Sequence, residues 1–355
     1  MNNIKAEIVA HSLNTQGDEL ISILCTFPRI ILSEMNTHRM LSKNTSSSRA
    51  IPFNKMVEAV DTNPFIPIAW QKQHSGMQGS EYFSESEAYW NIDKWLEARN
   101  NAVKIATLLT NNKVTKQLAN RLLEPFSWTT MLITGSKEGW DNFFKLRCPQ
   151  YQTPVSQSIE PQYSWKDLIN NHGNEDNLVM MKKMSVIEKL QLNKGQAEIH
   201  IMDLAEKIWD AKNESTPKLL EAGEWHIPFE DKIDTYNEMF STFTNGERFI
   251  DFNEVIKVSV ALAARTSYTV VGEEKEIDYQ KMIDLHDRLL AQDPPHSSPF
   301  EHCCRALNDE EYYQAMKTVQ GVNREKHLVR KDWGWVNNIK GFMPYRYMVD
   351  NNLKM

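Results

Sequence analysis

The feature that most limits the possible folds is the join at Pro28. Residues Glu19–Phe27 (ELISILCTF) form a short apolar run with β-branched side chains, which suits a buried strand. Pro28 then sets a helix-compatible φ at the start of PRIILSEMNTHRMLSKN. Ile31, Met35 and His38 recur at i, i+4 and i+7, and Arg39 follows Met35 at i+4, so the spacing predicts a helix whose face turns from apolar to cationic. It runs into Thr45-Ser46-Ser47-Ser48-Arg49, whose short hydroxyl side chains favour a turn or helix cap.

Further along, Glu87–Asn111 and Val114–Leu123 read as helices, the second stopping before Pro125. Trp140–Leu146 is densely apolar and closes on Arg147. Gln196–Ala211 is amphipathic through Ile201, Ala205 and Ile208, and Tyr279–Ala291 is helix-like. Ile256–Ala264 is an apolar, small-residue segment leading to Arg265-Thr266-Ser267-Tyr268. Pro64, Pro67, Gly76 and Gly79 mark Asp61–Ser86 as an ordered loop or lid. Pro149–Lys194 looks like an insertion: Pro149, Pro154, Pro161 and HGNED (172–176) are loop-like, and VMMKKMSVIEKLQL suits a short helix. Pro294–His302 reads as a compact polar turn, and no role is legible in the tail from Leu307.

Composition sets the limits. A chain of 355 residues has room for two or three domains, or for one large domain with insertions. Forty Lys plus Arg against forty-seven Asp plus Glu leaves a net charge of −7. That balance argues against a coat for nucleic acid polymers or a basic membrane-surface binder, so any anion site must be a local cluster. No apolar run approaches the ~18–20 residues of a membrane span, and MNNIKAEIVAHSLNTQGDE lacks the layout of a signal peptide, so a cytoplasmic protein is expected. Cys25, Cys148, Cys303 and Cys304 read as reduced thiols, the adjacent pair being poorly spaced for a disulfide. His296, Glu301 and His302 beside the cysteines have the wrong spacing for common zinc patterns, and no metal is expected. Glu198 and His200 read as helix surface, and no GxGxxG or GxxxxGKS occurs.

Two groups could carry chemistry. His38-Arg39, followed after seven residues by Ser47-Ser48-Arg49, combines planar cations with flexible O–H donors. That suits a phosphate or a planar imide, and equally a solvated helix end. Arg121, in NRLLEP, and Arg147, closing WDNFFKLR, are either rigid charge-stabilising groups or arginines snorkelling from core helices.

Together these pieces resemble the flavin-dependent thymidylate synthases. That family's signature is Arg-His-Arg, seven residues, then Ser, one residue and Arg-Tyr; here it reads Thr37-His38-Arg39, seven residues, Ser47-Ser48-Arg49-Ala50. NRLLEP (120–125), WDNFFKLR (140–147) and GQAEIHIMDLA (195–205) resemble later motifs in order. AARTSY (263–268) and HSSPFEH (296–302) resemble motifs that normally precede the signature but here follow it. The resemblance therefore implies an α+β fold, circularly permuted as in virus-encoded relatives, with residues 1–305 as one catalytic domain, an insertion at about 149–194 and a C-terminal extension at 306–355.

It further implies FAD as cofactor, NADPH and methylenetetrahydrofolate as co-substrates, dUMP as substrate, and a homo-oligomer, a tetramer in the family. Thr37, His38, Arg39, Asn44, Asn142, Ser267, Ser298 and Glu301 fall where the family contacts flavin. Glu34, Ser47, Ser48, Arg49 and Arg121 fall where it grips dUMP, and Arg147 matches the arginine that favours ionisation at N3 of uracil. Thr37 and Ala50 replace an arginine and a tyrosine, and Thr45 stands where an acidic residue is common. These departures leave room for hydroxymethylation of dUMP, or for a non-catalytic nucleotide-binding relative. The cysteine chemistry of the other thymidylate synthase class would need a thiolate at Cys148, beside Arg147.

Overall fold

A computed structural model gives the fold and describes residues 4–75, 79, 81–152, 162–172, 181–233, 251–269, 271, 277–318 and 333–354. Pro154, Pro161 and most of HGNED lie outside the described residues. Helix and strand are mixed. Strands β1 (Lys5–Asn14), β2 (Glu19–Pro28), β3 (Ser42–Thr45), β4 (Trp128–Ser136) and β5 (Lys218–Leu220) form one sheet in the order β3-β4-β2-β1-β5. Only the β1–β5 pair is parallel.

The expected strand is present as β2, and a strand the sequence did not announce, β1, precedes it and pairs with it. Lys5 and Glu7 dilute the apolar signal of β1, and a register shift between Ile8 and Ala10 breaks its period of two. At the shift the Val9 carbonyl accepts from Phe229 N–H at 2.9 Å.

The helix expected after Pro28 stops early. A 3₁₀ turn (Arg29–Ile31) and five helical residues (Leu32–Asn36) are closed by Thr37, whose Oγ1 donates to the Glu34 carbonyl at 2.6 Å. The chain then pairs as β3, so His38 lies buried in a turn and not on a cationic helix face, and Arg39 is exposed. Val114–Leu123 is likewise shorter than expected: helix Lys116–Ala119 gives way to a 3₁₀ segment, Asn120–Phe126, that contains Pro125.

Alternation along β2 and β4 sorts the two faces of the sheet. Ile21, Ile23, Cys25, Phe27, Met131 and Ile133 point to one side. Helix Lys137–Arg147 covers them with Trp140, Phe143 and Phe144, and helix Ile199–Glu214 with Ile201, Leu204 and Ile208. The opposite face meets helix Phe252–Arg265 through Ala263, and Phe229 through Val9 and Leu132.

The described residues beyond 305 pack into the core. Strand β7 (Cys304–Ala306) crosses residue 305 and pairs antiparallel with β6 (Trp225–His226) and with β8 (Phe342–Pro344) from the tail. Phe342 and Ile339 pack on Leu20, while Met343, Tyr345 and Met348 fill the core around helices Phe252–Arg265 and Tyr279–Leu290. Gly341, at φ +78°, is pressed against the β1–β2 turn, where a Cβ would lie 2.5 Å from Asp18 Cβ. The described residues of 149–194 dock on helix Ile199–Glu214: Tyr151 Oη donates to Glu206 at 3.0 Å, and Trp209 Nε1 to Asp167 at 2.6 Å.

Among the described residues, no helix is long and apolar enough to cross a membrane.

A buried polar chain runs between the sheet's second face and β6–β7. Ser12 Oγ lies 2.8 Å from His226 Nδ1, His226 Nε2 2.8 Å from Ser22 Oγ, Ser22 2.6 Å from Thr134, and Thr134 2.8 Å from His302 Nδ1. Burial pushes His226 and His302 down to about 3. Both therefore stay neutral in the fold while the unfolded chain protonates near the ordinary imidazole value of 6.5. The unfolded state binds more protons in that window, so stability is full above pH 6.5 and falls as pH drops toward 3. Urea midpoints measured from neutral to acid pH should decline from about pH 6.5 downward; a flat profile to pH 4.5 would contradict the burial of neutral imidazoles.

Candidate functional site

The short edge strand β3, with the turns on either side, holds the nominated residues from Thr37 to Arg49. Before it, the His38 ring packs edge-on against Phe143, 4.9 Å between centroids. Arg147 Nε donates to His38 Nε2 at 2.9 Å, and Arg147 Nη2 to Thr37 Oγ1 at 3.3 Å. The imidazole thus accepts at Nε2 and carries its proton on Nδ1. Burial, then the charges of Arg147 and Lys43, lower its pKa to about 4, in keeping with a neutral ring. Two of Arg147's five N–H protons are taken, and the others meet no acceptor among the described residues.

Lys43, which the sequence reading passed over, donates from Nζ to the carbonyls of His38 and Met35 and so closes the end of the short helix. Burial lowers it to about 8, against the opposing pull of Glu301. Glu301 itself is ion-paired with Arg346 from the tail, a partner that no local motif announces.

Asn44 joins the segments on the sheet's other face. Its Nδ2 donates to the Ala263 carbonyl and to Thr266 Oγ1 (3.0 Å), and its Oδ1 accepts from Ser267 and Ser298, both at 3.3 Å. Ser47 N–H donates to the Ser267 carbonyl at 2.8 Å. Asn44→Ala leaves buried partners unpaired and should lower unfolding stability by about 1–3 kcal/mol, measured in urea; a change under about 0.5 kcal/mol would remove Asn44 as the link between these segments.

Beyond β3, Ser48 Oγ donates to Glu124 Oε1 at 2.5 Å; Arg121 reaches the same oxygen at 2.9 Å and Arg29 at 3.1 Å. The nominated arginines therefore do not form one cluster. Arg147 and Arg121 sit at opposite ends of a four-residue strand that spans ~13 Å. Arg39, Arg49 and Asn142 are exposed, and their side chains make no hydrogen bond or ion pair among the described residues. Glu34 turns aside, accepting from Ser33 Oγ at 2.8 Å.

Two further side chains have structural roles. Cys148 is buried, and desolvation followed by nearby acids raises its thiol pKa, so Arg147 does not make it a thiolate. His200 is not helix surface: 3% exposed, it bonds Glu198 through Nδ1 and accepts Ile68 N–H at Nε2, 3.1 Å. All four cysteines are free, and among the described residues no three His, Cys, Asp or Glu side chains are grouped to hold a metal ion. A cavity of about 520 Å³ lined by Phe65, Trp128, Tyr151, Trp165 and Glu206 contains none of the nominated residues.

No family model and no curated protein matches the sequence. Among solved structures, the chain is similar to the UMP/dUMP methylase PolB from Streptomyces cacaoi bound with 5-Br UMP, at 12% identity over 60% of this chain and 90% of that chain, with a TM-score of 0.41. The same methylase bound with 5-Br dUMP gives 13% identity, 45% and 84% coverage and a TM-score of 0.35. The flavin-dependent thymidylate synthase ThyX from Helicobacter pylori, complexed with FAD and dUMP, gives 15%, 54%, 67% and 0.28. Overlaps this shallow assign no residue of this chain.

Proposed function

We propose that the chain is an FAD-dependent enzyme that methylates dUMP reductively to dTMP, with methylenetetrahydrofolate as carbon donor and NADPH as reductant. The observation that supports this is the meeting around β3 of side chains from four distant segments, each carrying part of the motif resemblance: His38 with Arg147, and Asn44 with Ser267 and Ser298.

The donor set suits the cofactor. Arg39, the His38 Nδ1–H and the remaining N–H groups of Arg147 are cations and protic donors, as the diphosphate and carbonyl edge of a flavin require. When bound, FAD supplies the hydride chemistry. The chain's own contribution is electrostatic. A guanidinium held in plane by His38 and Thr37, placed beside N3 of uracil, lowers the pKa of N3–H and raises electron density at C5. No enzyme thiolate is then needed, which agrees with the protonated, buried Cys148. Ser47, Ser48, Arg49 and Arg121 bind the nucleotide's phosphate, and Glu34 and Glu301 frame the site.

The reading extends to a circularly permuted catalytic domain with residues 149–194 inserted, acting as a homo-oligomer in the cytoplasm. Tyr89, Trp90, Ile105 and Leu108, exposed on the long helix Glu85–Asn111, give apolar surface for such assembly.

Thr37 favours a second reading, since a hydroxyl bound to Arg147 replaces a charge at the flavin: hydroxymethylation of dUMP, with water trapping the one-carbon unit. An absorption spectrum with and without added FAD, then the mass of the nucleotide product, tests both. Flavin absorbance and a methylated product are expected, a hydroxymethyl mass selects the second reading, and protein that never takes up FAD overturns both.

A further inference from the structure

Three donors from three separate segments converge on one carboxylate oxygen. Glu124 Oε1 accepts from Ser48 Oγ at 2.5 Å, Arg121 Nη1 at 2.9 Å and Arg29 Nε at 3.1 Å. Arg29 does not depend on Glu124 for its position: its Nη1 donates to the Ser46 carbonyl at 3.0 Å and reaches Thr129 Oγ1 at 3.4 Å. An arginine committed only to a carboxylate tends to close on it with both arms of its fork. Here one arm anchors the side chain, 10% exposed, and leaves the other aimed at the carboxylate. In the adjoining turn the N–H groups of Ser48 and Arg49 meet no acceptor among the described residues. Two guanidinium groups, a hydroxyl and free turn amides are the donors a phosphomonoester needs.

We infer that Glu124 is a built-in stand-in for phosphate: the 5′-phosphate of the nucleotide binds by displacing its carboxylate from Arg29, Arg121 and Ser48, and Arg29 becomes a further phosphate ligand. This rests on the nucleotide reading above and adds to it an occupant that must leave and a cation that the sequence did not nominate. Because the free chain holds its own anion in the site, the observed affinity for phosphate is lower than that of the vacated donor set. The carboxylate also keeps the partly buried Arg29 neutralised when no ligand is bound.

The test is calorimetric titration of the full chain with dUMP, deoxyuridine and inorganic phosphate, using wild type, Glu124→Gln, Glu124→Asp and Arg29→Lys. Glu124→Gln removes the competing charge and should tighten dUMP and phosphate by at least about threefold, with Glu124→Asp in between. Arg29→Lys should weaken both by about tenfold. Deoxyuridine, which lacks the phosphate, should be unaffected by any of the three. Glu124→Gln is expected to melt lower than wild type, and phosphate should raise its melting temperature more than it raises the wild type's. Weakened phosphate and dUMP binding in both Glu124 variants would overturn the inference and make Glu124 an organiser of the arginines. If dUMP fails to bind any protein, the nucleotide reading falls, and the inorganic phosphate series still decides whether Glu124 holds an anion site. Absence of phosphate binding throughout overturns the inference alone when dUMP binds.

Discussion

Arg147→Ala should lower dUMP turnover by about 10²–10³-fold, the usual cost of removing one preorganised donor from a site where charge develops. The size of the effect follows from how the side chain is held. Arg147 closes a helix whose apolar face is locked into the core, and its Nε and Nη2 are fixed by His38 and Thr37. A charge already in place needs no reorganisation when the uracil ionises. Arg147→Lys keeps the charge but loses the planar fork, so it should recover only a small part of the rate.

The same substitution has a second readout. Arg147 is, after burial, the largest cause of the lowered His38 pKa, so its removal should raise that pKa above about 4 in an NMR titration. A raised His38 pKa with unchanged turnover would leave Arg147 a structural partner of the imidazole. No change in either would break the pair that anchors the functional reading.

Trp140→Ala should cost about 3–5 kcal/mol of stability, a large share of the roughly 5–15 kcal/mol that holds a typical domain together. Trp140 is fully buried; it lies 5.9 Å from Phe144 in a stacked pair and 5.9 Å from Phe143 edge-on, and its Nε1 reaches the Ile21 carbonyl at 3.4 Å. Gly135 on β4 makes room beside it for Leu41 of the same core, since a Cβ there would lie 2.4 Å from the Leu41 side chain. Truncation leaves a cavity between sheet and helix that the two remaining stiff rings, Phe143 and Phe144, cannot close. Since Trp140 and Arg147 share one helix, residual activity should fall more steeply on warming than in wild type. Chemical unfolding that showed a loss under about 1 kcal/mol would mean this layer is not the principal core.

Much of the fold was legible before any coordinates. The run at 19–27 is β2, and the apolar periods near 87–111, 140–146, 196–211, 256–264 and 279–291 fall on helices. Such patterns are legible because burying one face of an element imposes a spacing on its own residues. The errors fell where a distant partner overrode local preference. The helix after Pro28 ends at Asn36 because β4 offers the next residues a strand to pair with, and β1 went unnoticed because its bulge disrupts alternation.

The site divides in the same way. Sequence alone determined the identity of the side chains: the spacing of His38, Arg39, Ser47, Ser48 and Arg49, and the motifs bearing Arg121, Arg147, Ser267 and Ser298. Only the tertiary structure decided which of them meet. It set Arg147 on His38 across 109 positions, tied Asn44 to Ser298 across 254, and drew Arg346 from the tail onto Glu301. It also separated Arg121 from Arg147 by the length of β3 and filled the Arg121 end with Glu124 and Arg29. The reason is physical: the period of a helix or strand records which face of that one element is buried, whereas contacts between side chains hundreds of positions apart follow from sheet pairing and core packing, which the whole chain settles together.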